Sequence, residues 1–387
     1  MNYNNAHIFE SLTEEQKLLI ILSKASPDPS DLECIETLDF KSVDWTYIIN
    51  FSKVHGITSL ICFNINKHKN ISVPELELKK LKTASLQNSK KNLFLTSVLL
   101  KILKDLKKIG IEAVAHKGPV LSRMLYDDIT IRDFTDIDII VYKKDVIKAK
   151  EYLIQNGYSP QFDLKGYKED YYLNSKYYYI NFLRDDSKAA LDLHWALSAP
   201  NYGFSTGLEH FSSKLDKINL NNVSLDVLRE EDLFLQLCIH GAKHNFSRFC
   251  WLADIVNLAA VNKGMDYEYI TRQAAKLGCT NIVTFSAELI WCLFNVRLHV
   301  CHDLKPEQKT LLFAKNLVVN NTGHSAGSLF PVLFDTAKDR IIYYLNTYIY
   351  PTPIEFSVVN LNKYLFFVYY IIRLIRMFYK GIAKLLN

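Results

Sequence analysis

Long apolar runs are missing from this 387-residue chain. No stretch of about 18 uninterrupted apolar residues occurs, so no transmembrane helix is expected. The N-terminus, MNYNNAHIFESLTEEQ, is polar and acidic and lacks the apolar segment of a signal peptide. Cys34, Cys62, Cys238, Cys250, Cys279, Cys292 and Cys301 include no C-x-x-C pair, and their number is odd. Zinc ribbons and disulfide frameworks are therefore poorly supported, and reduced thiols in a cytoplasmic protein are the simplest reading. Glycine and proline, at 13 and 10, are too scattered to mark a linker, and neither an internal repeat nor a low-complexity tract is present. A large charge excess is also absent. The net charge of +5, from 46 Lys and Arg against 41 Asp and Glu, suits a small anionic ligand such as a nucleotide without demanding nucleic acid.

Apolar residues are plentiful, at 49%, with 23 Tyr and 22 Phe, and the charged fraction is 22%. This is the composition of a chain with a core to bury. At roughly 100–200 residues per domain, two or three domains are expected. The patterns divide the chain into a helical region at 1–110, an α/β core at 111–228 and a second helical region at 229–387. In the first, Thr13 and Gln16 form a capping-box pattern before an apolar stripe over 13–25. A second helix over 43–54 closes near Gly56, and Pro74 to Lys108 reads as one long helix, or two, stopped at Gly110. In the core, a short strand at Ile111–Ala115 leads through His116-Lys117-Gly118-Pro119 into a helix at Val120–Tyr126. Alternating, β-branched Asp136–Tyr142 is a strand, Lys144–Asn156 is a helix ended by Gly157, and Tyr177–Leu183 and Ala189–Trp195 are strands around an Asp185-Asp186 turn. Strands interleaved with helices indicate a mixed α/β unit at about 111–228, between two helical regions.

Side chains alternate along a strand, so Asp136 and Asp138 point one way and Ile137, Ile139 and Val141 the other. Two half-buried carboxylates repel unless a cation neutralises them, and Mg²⁺ favours carboxylate and phosphate oxygens. On the second strand Asp192 and His194 share a face opposite Leu191, Leu193 and Trp195. Beside the first strand, Asp192 would complete the three carboxylates of a two-metal phosphoryl-transfer site, with Mg²⁺ as the expected ion and Mn²⁺ as the alternative. The plainer readings are a solvated Asp192 and a His194 that merely satisfies an interface. Lys117-Gly118 sits at a strand-to-helix turn, where glycine admits a phosphate and the helix N-terminus supplies N–H donors; an ordinary βα turn is the alternative. Arg132 could clamp a triphosphate or simply pair with Asp127, Asp128 or Asp133.

Lys117-Gly118, Leu121, Tyr126 and Arg132, followed by Thr135-Asp136-Ile137-Asp138-Ile139-Ile140-Val141, resemble the uncharacterised nucleotidyltransferase family of the DNA-polymerase-beta-like superfamily. Asp192-Leu193-His194-Trp195 is similar to its third-carboxylate strand. His240-Gly241-Ala242-Lys243-His244 with Trp251-Leu252-Ala253-Asp254 is similar to its helical C-terminal motif. The resemblance runs from about residue 40 to 260. It implies an α+β fold, a small mixed sheet flanked by helices, with two Mg²⁺ ions, a nucleoside triphosphate donor and transfer of a nucleotidyl group to a hydroxyl of an acceptor that it does not identify. Gly118-Pro119 departs from the superfamily's Gly-Ser, so a serine contact to the γ-phosphate is missing.

His240, Lys243, His244 and Arg248 fall on one helix face if the helix is unbroken, with Ser247-Arg248 as a possible turn. That face could pack in the core, hold phosphates or, as His-x-x-x-His, bind zinc. Residues 358–387 combine aromatics with Lys363, Arg373, Arg376, Lys380 and Lys384, the pattern of an interfacial helix in weak membrane contact or of a terminal helix docked on the core. Two other functions fit the same motifs: a glycosyltransferase using Asp-x-Asp, and a nucleotide-binding regulatory, toxin–antitoxin or defence component with little catalysis.

Overall fold

The computed structural model describes residues 8–200, 202–211, 215–300, 306–319 and 329–386, with side chains as far as Gly381. Cys301 and the side chain of Lys384 lie outside the described residues. The chain opens with α1 (Glu14–Ile21), α2 (Pro29–Thr37), α3 (Trp45–His55), α4 (Thr58–Lys67) and α5 (Glu75–Lys108). The α1 capping box is present, with Thr13 and Gln16 exchanging backbone-to-side-chain hydrogen bonds. Gly56 closes α3 with φ of 67°, a conformation that costs a glycine little. The Pro74–Lys108 pattern forms one helix of 34 residues.

The α/β part follows as β1 (Ala113–Ala115), α6 (Gly118–Tyr126), β2 (Asp136–Val141), α7 (Val146–Gln155), β3 (Tyr158–Pro160), α8 (Tyr167–Asn174), β4 (Tyr179–Arg184) and β5 (Ala190–His194). These strands form one mixed five-stranded sheet in the order β1-β2-β5-β4-β3. Only the β2–β5 pairing is parallel; β1, β4 and β3 run antiparallel to their neighbours. One face, with Ile137, Ile139, Val141, Leu191 and Leu193, is fully buried against Leu95, Leu99, Ile102 and Leu106 of α5 and Ala149 and Leu153 of α7. The other face is left for the cleft.

A short α9 (Leu208–Phe211) precedes a separate hairpin of β6 (Leu215–Leu220) and β7 (Val223–Leu228). The remaining elements are α10 (Glu230–Lys243), α11 (Phe249–Val261), α12 (Tyr267–Leu277), α13 (Thr280–Phe294), α14 (Gln308–Val319), α15 (Ala337–Tyr348), α16 (Pro353–Val358) and α17 (Val368–Leu386). Helices from both ends of the chain share one core. Phe51 of α3 meets Phe249 of α11 edge-on at 5.9 Å, and Asn257 of α11 hydrogen-bonds the Ala25 N–H and the Ser23 carbonyl just beyond α1. That shared core brings α10 and α11 over the open face of the sheet.

No helix among the described residues is long and apolar enough to cross a membrane. On α17, Arg373 and Arg376 reach Glu355 of α16 while Ile371, Leu374, Ile375 and Phe378 are exposed. The terminal pattern is thus a docked helix with a bare apolar side.

Candidate active site in the carboxylate cleft

The site starts at the turn between β1 and α6. Lys117, the residue that caps α6, has φ of 65° and ψ of −154°, a conformation normally confined to glycine. Gly118, also at positive φ, follows with Pro119, whose missing N–H is harmless in the first helical turn. The strained turn is held by the His116 N–H donating to the Asp138 carbonyl of β2 at 3.3 Å. It aims the buried Lys117 side chain into the cleft, with Nζ 3.9 Å from Asp138 Oδ1 and 3.2 Å from His240 Nδ1 on α10. An ammonium has no lone pair, so Lys117 donates and His240 Nδ1 is the unprotonated acceptor. Burial, with Lys117 adjacent, keeps His240 well below the ordinary imidazole range, consistent with that tautomer.

The strand alternation delivers the carboxylates. In the parallel β2–β5 register Asp138 lies directly opposite Asp192, and Asp136 is two residues along the same face. On the far side of β5, Asn181 of β4 stands opposite Asp192 and donates to its Oδ1 at 2.6 Å. His194, on the same face as Asp192, has Nε2 3.1 Å from Asp138 Oδ1, and the carboxylate requires that nitrogen to be the donor.

Three aspartates in one cleft therefore have three different environments. Burial would raise Asp138, but the Lys117 ammonium and the His194 hydrogen bond outweigh it and hold the carboxyl well below its usual range. Asp136 has no such partner, and burial together with Asp138 pushes it up. Asp192 is pushed up to about 6 by burial and by its two carboxylate neighbours, despite His194 and the Asn181 hydrogen bond. This is the electrostatic signature of clustered acids with too little positive charge among them.

The cleft encloses about 260 Å³ and is lined by all six cationic or imidazole side chains expected there: Lys117, Arg132, His240, Lys243, His244 and Arg248. His240, Lys243, His244 and Arg248 do not share one helix face, because the helix is broken before Arg248. Helix α10 ends at Lys243, and Asn245 and Phe246, both at positive φ, turn the chain so that Arg248 precedes α11. Phe246 folds back over Gly241, where any Cβ would collide with its ring at 2.3 Å. His240 meets Trp251 edge-on and His244 lies tilted against both rings, with ring centroids 4.7–5.3 Å apart. His244 is exposed at one edge, yet desolvation against the cleft wall, with Lys243 nearby, lowers its ring below the ordinary imidazole range. The formal positive charge comes from Lys117, Lys243, Arg248 and Arg132.

Arg132 pairs with none of Asp127, Asp128 and Asp133. Its Nε and Nη2 donate to both carboxylate oxygens of Asp254 on α11, at 2.9 and 2.8 Å. Asp133 instead accepts from the Thr58 N–H and the Ser59 hydroxyl at the start of α4. His116 was not singled out from the sequence. Its ring lies 5.3 Å from that of His194, and His116, Asp138 and His194 present ligand atoms within 4.8 Å of one another. Both nitrogens of His116 and Nδ1 of His194 are buried without hydrogen-bond partners among the described residues. The available signal was position: β1 ends at Ala115, so the next residue falls beside Asp138 once β1 pairs with β2. Tyr178 and Tyr179 also line the cleft and were read only as strand residues.

Residues 41–295 match the family described as uncharacterised nucleotidyltransferase. The chain belongs to that family. The matched span contains every cleft residue named above and stops before α14. No curated protein matches the chain. Among solved structures it is similar to an antigenic nucleotidyltransferase-like protein from Paracoccidioides brasiliensis, at 10% identity over 47% of this chain and 86% of that one, with a TM-score of 0.30. In this nucleotidyltransferase, the half-buried carboxylates and the orphaned imidazole nitrogens of His116 and His194 offer a donor set that could hold a divalent cation.

Proposed function

We propose that the cleft moves an NMP group from a nucleoside triphosphate to a hydroxyl of a small-molecule or protein acceptor, with two Mg²⁺ ions held by Asp136, Asp138 and Asp192. The observation that carries this reading is the register placing Asp138 opposite Asp192, with Asp136 on the same open face. When bound, the ions would make the acceptor hydroxyl a better nucleophile and stabilise the leaving pyrophosphate.

The chain's own groups divide the remaining work. Lys117 and the N-terminal N–H groups of α6 face the triphosphate, which supplies what the missing serine does not. Arg132, spoken for by Asp254, orients α11 and keeps at most one guanidinium nitrogen for the phosphates. His194 fixes the Asp138 carboxylate. Asp192 lies on the strand farther from the Lys117 turn, next to β4, and serves the attacking hydroxyl.

Incubation with each labelled NTP, Mg²⁺ and a cell extract should give a labelled product. Asp192→Asn should keep binding a Mg²⁺-loaded, non-hydrolysable NTP yet lose roughly 10²–10⁴ in rate, the scale of a misplaced proton acceptor. Asp136→Asn should lose both binding and rate. No labelled product from any NTP, or wild-type turnover in both variants, would sink the proposal.

A further inference from the structure

A second cavity opens on the other side of the Tyr178–Lys243 wall. It holds about 400 Å³, within the range of small-molecule sites, and shares Tyr178, Tyr179 and Lys243 with the carboxylate cleft. Two further cations line it. Lys176 donates to the carbonyls of Asn346 and Tyr350 near the end of α15, and Arg373 of α17 donates to the Thr347 carbonyl. Neither Lys176 nor Lys243 is paired with a carboxylate among the described residues; Lys243 instead donates to the Tyr178 hydroxyl and lies over that ring. Arg373 has one carboxylate neighbour, Glu355, which Arg376 shares, and its Nε is buried with no partner among the described residues. Burial and the adjacent Arg373 lower Lys176 to about 8.

Cations drawn out of water are costly without counter-charge. Lys176 and Lys243 are half-buried with no carboxylate partner among the described residues, and the buried Arg373 shares its one carboxylate with Arg376, so three positive charges around one cavity favour an anion that enters it. The rest of the wall is aromatic, from Tyr178, Tyr179 and Tyr202 on the sheet side to Phe330 and Tyr343. Flat aromatic walls suit a planar ring. The outer wall comes from residues 330–373, beyond the 41–295 span matched to the family.

We infer that this cavity is the acceptor site, and that it takes a planar, hydroxyl-bearing small molecule carrying a carboxylate or phosphate. The inference rests on the nucleotidyl-transfer reading of the neighbouring cleft. The anion sits between Lys176 and Arg373, and the hydroxyl points past Tyr178 and Lys243 toward Asp192. There its oxygen forms a bond to the α-phosphorus of the NTP. The bond from that phosphorus to the oxygen bridging to the β-phosphate breaks, pyrophosphate leaves, and the hydroxyl proton passes to Asp192. The acceptor's anionic charge explains why Lys176 and Arg373 line this cavity and not the carboxylate cleft.

Calorimetry on the full chain tests this with three probes of one shape: 4-hydroxybenzoate, 4-hydroxyphenyl phosphate and neutral 4-hydroxybenzamide. At least one anion should bind ten times or more tightly than the amide, and which one identifies the charge. Lys176→Met should weaken that anion roughly 10–100-fold, the scale of a lost charged hydrogen bond. Thr347→Trp, which fills the cavity from a half-exposed helix position, should do the same without removing a cation, since Arg373 meets Thr347 only at its backbone carbonyl; melting curves confirm that each variant folds. A Mg²⁺-loaded, non-hydrolysable ATP analogue should bind both variants within twofold of wild type. Anions no better than the amide, or variants that bind them like wild type, overturn the inference. So does a variant that weakens the ATP analogue instead, since the cavity would then belong to the nucleotide. Failure of the transfer reading looks different: wild type would not bind the Mg²⁺-loaded analogue at all.

Discussion

Two buried clusters of charge in this molecule are built in opposite ways. Arg132 and Asp254 are both nearly inaccessible, and each satisfies the other through two parallel hydrogen bonds. Asp136, Asp138 and Asp192 are half-buried in the cleft that Arg132 also lines, yet among the described residues only one ammonium and one imidazole reach them, both at Asp138. A complete pair of buried charges ties elements together at little net gain. An incomplete cluster stores a demand for positive charge that a cation or substrate meets. The first ties the loop before β2 to α11; the second is where we place the proposed chemistry.

The largest expected effect breaks the complete pair. Asp254→Asn leaves a guanidinium buried without its counter-charge and should cost about 3–5 kcal/mol in denaturant unfolding. Removing both charges with Arg132→Met and Asp254→Leu should cost clearly less, because no orphan remains. A double variant as unstable as the single one would mean that the pair itself contributes most of the stability.

Next comes the contrast inside the incomplete cluster. Asp136→Asn and Asp138→Asn should each lower transfer by roughly 10²–10⁴. Their stabilities should move in opposite directions. Asp136 is raised by burial and by Asp138, so neutralising it relieves repulsion and holds or raises stability. Asp138 accepts from His194 and faces Lys117, so neutralising it strands both and should cost about 1–3 kcal/mol. Equal shifts in the two melting curves would show that the two carboxylates are not differentiated by their neighbours.

How much of this was legible in the sequence follows from range. The strand patterns of Asp136–Val141 and Ala190–His194 have a period of two and report faces directly, so the three aspartates fall where expected. Thr13 and Gly56 act over a few residues, and both ends formed as read. The β6–β7 hairpin also had a local sign, Asn221-Asn222 at positive φ between alternating runs, which the sequence reading passed over. The partner of Arg132 is 122 residues away, and no local pattern specifies it; the nearby acids Asp127, Asp128 and Asp133 were the wrong place to look. The break after Lys243 was equally hidden. It depends on Phe246 packing over Gly241, a contact that i, i+4 spacing does not foresee.

The smallest expected effect separates charge from backbone at Lys117, which stands between the two clusters with a partial partner in Asp138. Lys117→Met removes the ammonium and keeps the strained backbone. Lys117→Gly removes the ammonium and the strain together. If the charge binds ground-state phosphate, both should raise KM for NTP by about tenfold, near 1.4 kcal/mol, with a smaller change in kcat. Stability should then tell them apart. Relief of a glycine-like conformation is worth about 1–3 kcal/mol, and the added freedom of an unfolded glycine takes back about 0.4–1 kcal/mol. Lys117→Gly should therefore unfold at a higher denaturant concentration than Lys117→Met, by about 1 kcal/mol. If Lys117→Gly also restores a wild-type KM, the exposed N–H groups of the turn, and not the ammonium, hold the phosphates. Lys117 would then count with Arg132 as part of the frame.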